Sequence, residues 1–179
     1  MINEGIKKVD SESLLSGRAV YTDDLVFHRD VLTIKLLRSP HAFARIKNID
    51  VERAKKVDGI VEIYTYKDVP QIRYSESGES YPDPTPYDRM LLEPIVRYVG
   101  DEVAIIVAED EQSAEKAMKL IKVEYEVLEP VLDLTTAEGH SSVIHSDDDI
   151  FCPFDFGFDG KRNIVSRFEL GKGDVEQEF

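Results

Sequence analysis

The side chains here that could bind a metal or do covalent chemistry are four histidines, one cysteine and 36 acidic residues. His28, His41, His140 and His145 are scattered, and no two of them stand at zinc-ligand spacing. Cys152 with one of these histidines would make a nucleophile and its base, but spacing brings none of them together. A lone cysteine among phenylalanines reads first as a small buried hydrophobe. Asp23-Asp24 has no histidine or second carboxylate pair at ligand spacing and reads as turn chemistry. Asp155, Asp159 and Gly160 have the outline of a calcium loop. Gly157 takes the third ligand position, however, and Ser166 stands where the closing Glu belongs. Gly171-Lys172-Gly173-Asp174 lacks the spacing and the Ser or Thr of a phosphate loop. Asp147-Asp148-Asp149 reads as a solvated charge run. With carboxylates this abundant, any two make a pair, and none is a sign of acid–base catalysis. The residues therefore assign the chain no catalytic, cofactor-binding or metal-binding site.

The elements that would position any site centre on residues 96–127, read as strand, helix, strand. Val103 to Ala108 is an unbroken apolar run, as in a strand covered on both faces. Ala114, Ala117, Met118 and Ile121 then fall on one helical face. Asp110 is the expected N-cap, Glu111 complements the helix dipole, and Glu115 and Lys119 make an i,i+4 pair. Ile105 and Met118 are expected in the core. Val123, Tyr125 and Val127 alternate with charged residues, as in a strand with one wet face. Upstream, Leu32 to Leu37 reads as a strand with Leu32, Ile34 and Leu36 on one face. Ala44 to Ile49 is a second strand. Asp50 caps a short helix through Val57, with Glu52 and Lys56 paired outside, Gly59 closes it, and Ile60 to Tyr66 follows as a third strand. The two strand–helix–strand units imply an α+β fold, a mixed sheet with two main helices on one side.

Charge and composition narrow the partners. A formal charge of −14 argues against nucleic acid, which needs clustered Lys and Arg. No apolar run approaches the roughly 20 residues that span a bilayer, so no membrane partner is expected. The single cysteine excludes a cysteine-ligated cluster within one chain. A cytoplasmic location is the default expectation.

Less regular segments flank this core. Residues 1–16 read as an N-terminal arm with a short turn at Asp10 to Leu15. Residues 73–90, rich in Ser and Pro, read as a surface excursion. Residues 134–163 form a linker. Its segment Ile150 to Phe158 carries Phe151, Phe154, Phe156 and Phe158 without period, and is expected to fold back on the domain or to bury against a second copy of the chain. Asn163 to Leu170 alternates like a strand.

Several of these segments together resemble the molybdenum-subunit family of xanthine dehydrogenase and aldehyde oxidase, at its N-terminal α/β-hammerhead domain. They are Gly17-Arg18-Ala19-Val20-Tyr21-Thr22-Asp23-Asp24, then Arg38-Ser39-Pro40-His41-Ala42-Phe43-Ala44-Arg45-Ile46 with Ile49-Asp50, then Arg97-Tyr98-Val99-Gly100-Asp101-Glu102-Val103-Ala104. Ile121-Lys122-Val123-Glu124-Tyr125-Glu126 and Gly173-Asp174-Val175-Glu176 follow in the family's order. Glu102 stands where the family usually has proline. His41 and Phe43 stand where an aromatic and then a histidine are expected.

The resemblance implies an α/β-hammerhead over residues 17–133 and the truncated start of a molybdopterin-binding domain at 164–179. It implies a parent enzyme that hydroxylates a heterocycle or an aldehyde with oxygen from water at a molybdenum–pterin centre. Electrons would pass to 2Fe-2S clusters and FAD on other domains or chains. The family's pterin segments and catalytic glutamate lie downstream of its hammerhead, so this chain would be a structural piece, inactive alone and without molybdenum. Its implied partners are the molybdopterin-binding domain and iron–sulfur and FAD subunits, or a second copy of the fragment. Two other readings remain open: a free-standing protein-interaction module with this fold, and a small hydrolase using Cys152.

Overall fold

The computed structural model describes residues 5–24, 31–75, 86–152 and 155–173. The chain divides into two compact units, residues 1–31 and 32–179. In the first, Ser11–Leu15 forms helix α1 (five residues), and Thr22–Asp24 a single 3₁₀ turn.

The second unit carries six strands and one longer helix. The strands are β1 (Thr33–Arg38), β2 (Ala44–Asp50), β3 (Ile60–Thr65), β4 (Ile95–Val96), β5 (Glu102–Ala108) and β6 (Lys122–Val127); helix α2 is Glu111–Met118. The strands form two three-stranded sheets, β1-β5-β3 and β4-β2-β6, and every pairing is antiparallel. The α+β hammerhead class holds, but the sheet is divided where one mixed sheet is expected. Each strand–helix–strand unit crosses between sheets: β2 leads into β3, and β5 leads through α2 into β6.

The expected helix over residues 50–57 is only a 3₁₀ turn at Ala54–Lys56. The seven residues Val51 to Val57 have valine at both ends and, unlike α2, no side-chain cap, and do not repay the cost of helix nucleation. Asp50 does not cap this turn, whose N-cap is Arg53 without a side-chain bond; its carboxylate accepts from the Glu52 amide at 3.0 Å instead. The expected Glu52–Lys56 pair is replaced by Lys55 on Glu62 at 2.7 Å. Gly59 has φ +84°, and a Cβ there would lie 2.7 Å from the Ser113 hydroxyl, so glycine lets this turn approach α2.

Helix α2 is capped as expected: the Asp110 carboxylate accepts from the Ser113 amide at 2.8 Å and its hydroxyl at 2.9 Å. Those two bonds hold the Asp110 carboxyl below the usual carboxylate range. Ala114 and Ala117 are fully buried and Met118 half-buried against the core. Glu115 does not pair with Lys119. It sits 3.6 Å from Lys35 of β1, which also binds Glu111, so the helix is tied to the sheet rather than to itself.

The core lies among the two sheets and α2, with Ile46, Ile63, Val96, Val103 and Ile106 at its centre. Register sets the faces: Ile63, Ile106 and Lys35 lie side by side, as do Tyr64, Ile105 and Leu36. The first row faces α2. Ile105 is therefore only half-buried, on the outer face, and Ile106 takes the core position expected of it. The Leu32, Ile34 and Leu36 face of β1 likewise points outward. Asn163 to Leu170 is not a strand. Asn163 adopts a left-handed conformation (φ 56°) after the turn Gly160–Arg162, and Asp159 bridges to Ile164. Among the described residues, no strand pairs with residues 165–170.

Candidate functional site

Two of the segments that carry the resemblance, Arg38 to Ile46 and Arg97 to Ala104, meet at one corner, where the turn after β1 meets the turn before β5. The Ser39 amide donates to the Asp101 carbonyl and the Gly100 amide to the Ser39 carbonyl, both at 2.8 Å. Ser39 is buried, and its hydroxyl accepts from the His41 amide at 3.0 Å. Arg38 donates from Nη1 to the Gly100 carbonyl and to Glu102 Oε1, each at 2.7 Å. His41 packs edge-on against Tyr125 at 4.8 Å between ring centroids, a structural role.

Glu102 is the hub of this corner. Its second oxygen accepts from Arg89 at 3.4 Å and from the Tyr98 hydroxyl at 3.3 Å, while the Arg89 guanidinium lies 5.3 Å from the Tyr98 ring centroid. A proline there would remove all three side-chain bonds. Asp101 accepts from the Arg97 amide at 2.8 Å, and burial pushes its carboxyl above the usual range.

A second cluster lies beside it. Arg97, its side chain 8% exposed, donates to Glu93 at 2.6 Å and to the Ile144 carbonyl at 3.1 Å, and pairs with Asp149 at 3.3 Å. Arg73 holds the same Asp149 oxygen at 3.2 Å. The other Asp149 oxygen caps the Asp147–Asp149 turn, accepting from the Ser146 amide and hydroxyl, each at 2.9 Å. Burial opposes the charge on Asp149, but the Ser146 bonds and the two arginines outweigh it and hold its carboxyl below the ordinary value. Asp149 is thus a latch fixing residues 144–151 to the domain, while Asp147 and Asp148 stay exposed, as expected of a solvated run.

Two cavities meet at His145. One, of about 160 Å³, is bounded by Arg89, Glu93, Arg97, Tyr98, Asp101 and His145. The other, of about 260 Å³, is mainly apolar, with Ile144, Ile150, Phe158 and Ile164 facing Asp88 and His145. His145 Nδ1 is buried with no hydrogen-bond partner among the described residues, and burial followed by the Arg97 charge lowers its pKa. Gly160 closes this wall: a Cβ there would lie 2.7 Å from the His145 carbonyl.

The sequence-level candidates do not assemble into a reaction centre. Cys152 is half-buried and makes no hydrogen bond to a histidine among the described residues. His140 accepts from the Ser142 amide at 3.0 Å, and His28 lies outside the described residues. Asp155 and Asp159 cap local turns, accepting from the Gly157 and Arg162 amides. Among the described residues, no group of three or more His, Cys, Asp or Glu could hold a metal. Arg38, Arg89 and Arg97 of the corner each pair with a carboxylate, which would compete for them with a phosphate-bearing cofactor. Of the phenylalanines, Phe151 bridges Tyr87 through backbone bonds of 2.7 and 3.1 Å but remains 60% exposed, against the expected burial, while Phe156 stacks on Phe158 at 6.0 Å. Phe154 lies outside the described residues. Sequence reading missed the latch: Arg73 and Asp149 are 76 residues apart, and no local pattern marks the pair. Among the described residues, no helix is long and apolar enough to cross a membrane.

Comparison with known proteins gives a consistent set of matches. A family model described as the a/b hammerhead domain of aldehyde oxidase and xanthine dehydrogenase matches residues 16–129. Over 148 residues the chain is 40% identical to "Probable hypoxanthine oxidase XdhD" of Escherichia coli strain K12, covering 82% of this chain and 15% of that protein. It is 40% identical over 136 residues to the "Xanthine dehydrogenase molybdenum-binding subunit" of Escherichia coli O157:H7, covering 74% of this chain and 18% of that one. The crystal structure of quinoline 2-oxidoreductase from Pseudomonas putida 86 superposes with a TM-score of 0.66 at 32% identity, covering 78% of this chain and 18% of that one. The chain thus spans under a fifth of the length of these relatives.

Proposed function

As the chain belongs to the aldehyde oxidase and xanthine dehydrogenase family, as its a/b hammerhead domain, we propose that it is the structural hammerhead of a molybdenum hydroxylase acting on a nitrogen heterocycle of the purine type. The parent reaction inserts oxygen from water into a ring C–H bond, releasing two electrons and two protons. The molybdenum–pterin centre that supplies this chemistry sits on another part of the enzyme. The electrons leave through 2Fe-2S and FAD centres carried by other domains or chains, in the cytoplasm. The observation that carries the reading is the interlocked corner. Arg38-Ser39-Pro40-His41 and Arg97 to Glu102, the segments of family resemblance, spend their polar groups on each other and on the latch. They hold the domain together.

The test is hydroxylation by the whole enzyme containing this domain, purified from cells that make the cofactor. Hypoxanthine in ¹⁸O-water should yield singly labelled product. Unlabelled product, or activity from the 179-residue chain alone, would overturn the reading.

A further inference from the structure

The outer face of the β1-β5-β3 sheet has no role in anything described above. Register places two rows of side chains on it, Leu36–Ile105–Tyr64 and Ile34–Val107–Glu62. The first row is partly roofed: Tyr74, Leu91 and the buried Leu92 enclose a cavity of about 200 Å³ with Leu36 and Ile105, closed on one side by the Arg89–Glu102 pair of the corner. The second row is open. Ile34 is 62% exposed, Leu32 at its end 45%, and Tyr64 beside it 39%. The one carboxylate in these rows, Glu62, is matched by Lys55 at 2.7 Å, so the face is apolar and locally neutral on a chain of net charge −14.

We propose that this face is the surface on which the cofactor-bearing part of the same enzyme packs, an inference that rests on the hammerhead reading above. Size and charge choose this occupant over a second copy of the chain. Three strands about 4.8 Å apart and rows about 7 Å apart make a face on the order of 200 Å². A stable complex of free partners needs about 800 Å² on each side. A neighbour held at high effective concentration needs far less. Two copies would also bring −14 against −14. The relatives supply the neighbour, since more than four-fifths of each lies outside the region matched.

The test compares the whole enzyme with the 179-residue chain. In the wild type, amide exchange over residues 32–36 and 62–64 should slow at least tenfold in the enzyme relative to the chain alone. The double substitution Ile34→Lys with Val107→Lys should abolish that protection and lower the molybdenum recovered per hammerhead several-fold. Leu132→Lys, at an exposed apolar residue elsewhere, should leave both unchanged. Equal exchange in enzyme and chain would overturn the proposal, and so would lysine variants that match the wild type. A dimer of the chain alone that the lysines dissociate would overturn it in favour of self-association. An enzyme without molybdenum but with the protected face would sink the functional reading and leave the docking surface standing.

Discussion

Replacing Arg97 with methionine tests the latch directly. The side chain is 8% exposed and meets Glu93, 13% exposed, and Asp149, 22% exposed. Removing one partner of a buried pair costs about 3–5 kcal/mol, because the remaining charge stays buried. Here the loss is shared. Asp149 keeps Arg73 and Ser146, and Glu93 keeps the Met90 amide at 3.2 Å. The lost bond to the Ile144 carbonyl adds about 1 kcal/mol. The expected total stays near 3–5 kcal/mol, with methionine filling most of the volume. At about 2–4 °C per kcal/mol for a chain of this size, the midpoint should fall by about 6–20 °C. Asp149→Asn should cost less, and the double variant should fall short of the sum by about 1–3 kcal/mol, since the two residues share a contact. Urea denaturation of all four proteins measures this, and hydrogen exchange should show residues 144–151 opening first. A cost for Arg97→Met below about 1 kcal/mol, or full additivity with Asp149→Asn, would refute the latch.

Two further predictions follow from burial and titration. Ile106→Ala should cost about 2–5 kcal/mol, whereas Ile105→Ala, on the half-open outer face, should cost under about 2 kcal/mol; equal urea midpoints would show the sheet faces to be misassigned. Burial lowers the His145 pKa, so the unfolded chain binds more protons, and stability should fall as pH drops through about 6.5. Asp149, also lowered, adds to that loss below about pH 3.9, while Asp101, raised by burial, works in the opposite sense at acid pH. The urea midpoint should therefore be lower at pH 5.5 than at pH 7.5 in the wild type, and less pH-dependent in His145→Gln. A midpoint as high at pH 5.5 as at pH 7.5 would contradict the buried neutral imidazole.

Local patterns made most of the fold legible. The β5–α2–β6 unit and the Asp110 cap follow from period and turn chemistry and lie where expected; Gly59 has the positive φ of a closing glycine, but after a 3₁₀ turn rather than a helix. Errors arose where tertiary pairing overrode local rules. Lys35 captured Glu115 from Lys119 across the gap between β1 and α2. The run Val103 to Ala108 has no alternation to say which parity faces inward, so Ile105 and Ile106 were exchanged. Whether strands share one sheet depends on partners distant in sequence, and β2 and β3 went to different sheets. The candidate site was the least legible part. Its hub, Glu102, was visible only as a departure from the family's proline, and the Arg73–Asp149–Arg97 latch joins segments that no periodicity relates.

The central claim is that this chain is the cofactor-free hammerhead of a molybdenum enzyme. Metal analysis of two preparations tests it most directly: the whole native enzyme captured through a tag on this chain, and the 179-residue chain expressed alone in cells that make the cofactor. The account predicts molybdenum near one per hammerhead in the first and none in the second. Stoichiometric molybdenum on the chain alone, or a native assembly containing the chain and no molybdenum, would contradict it.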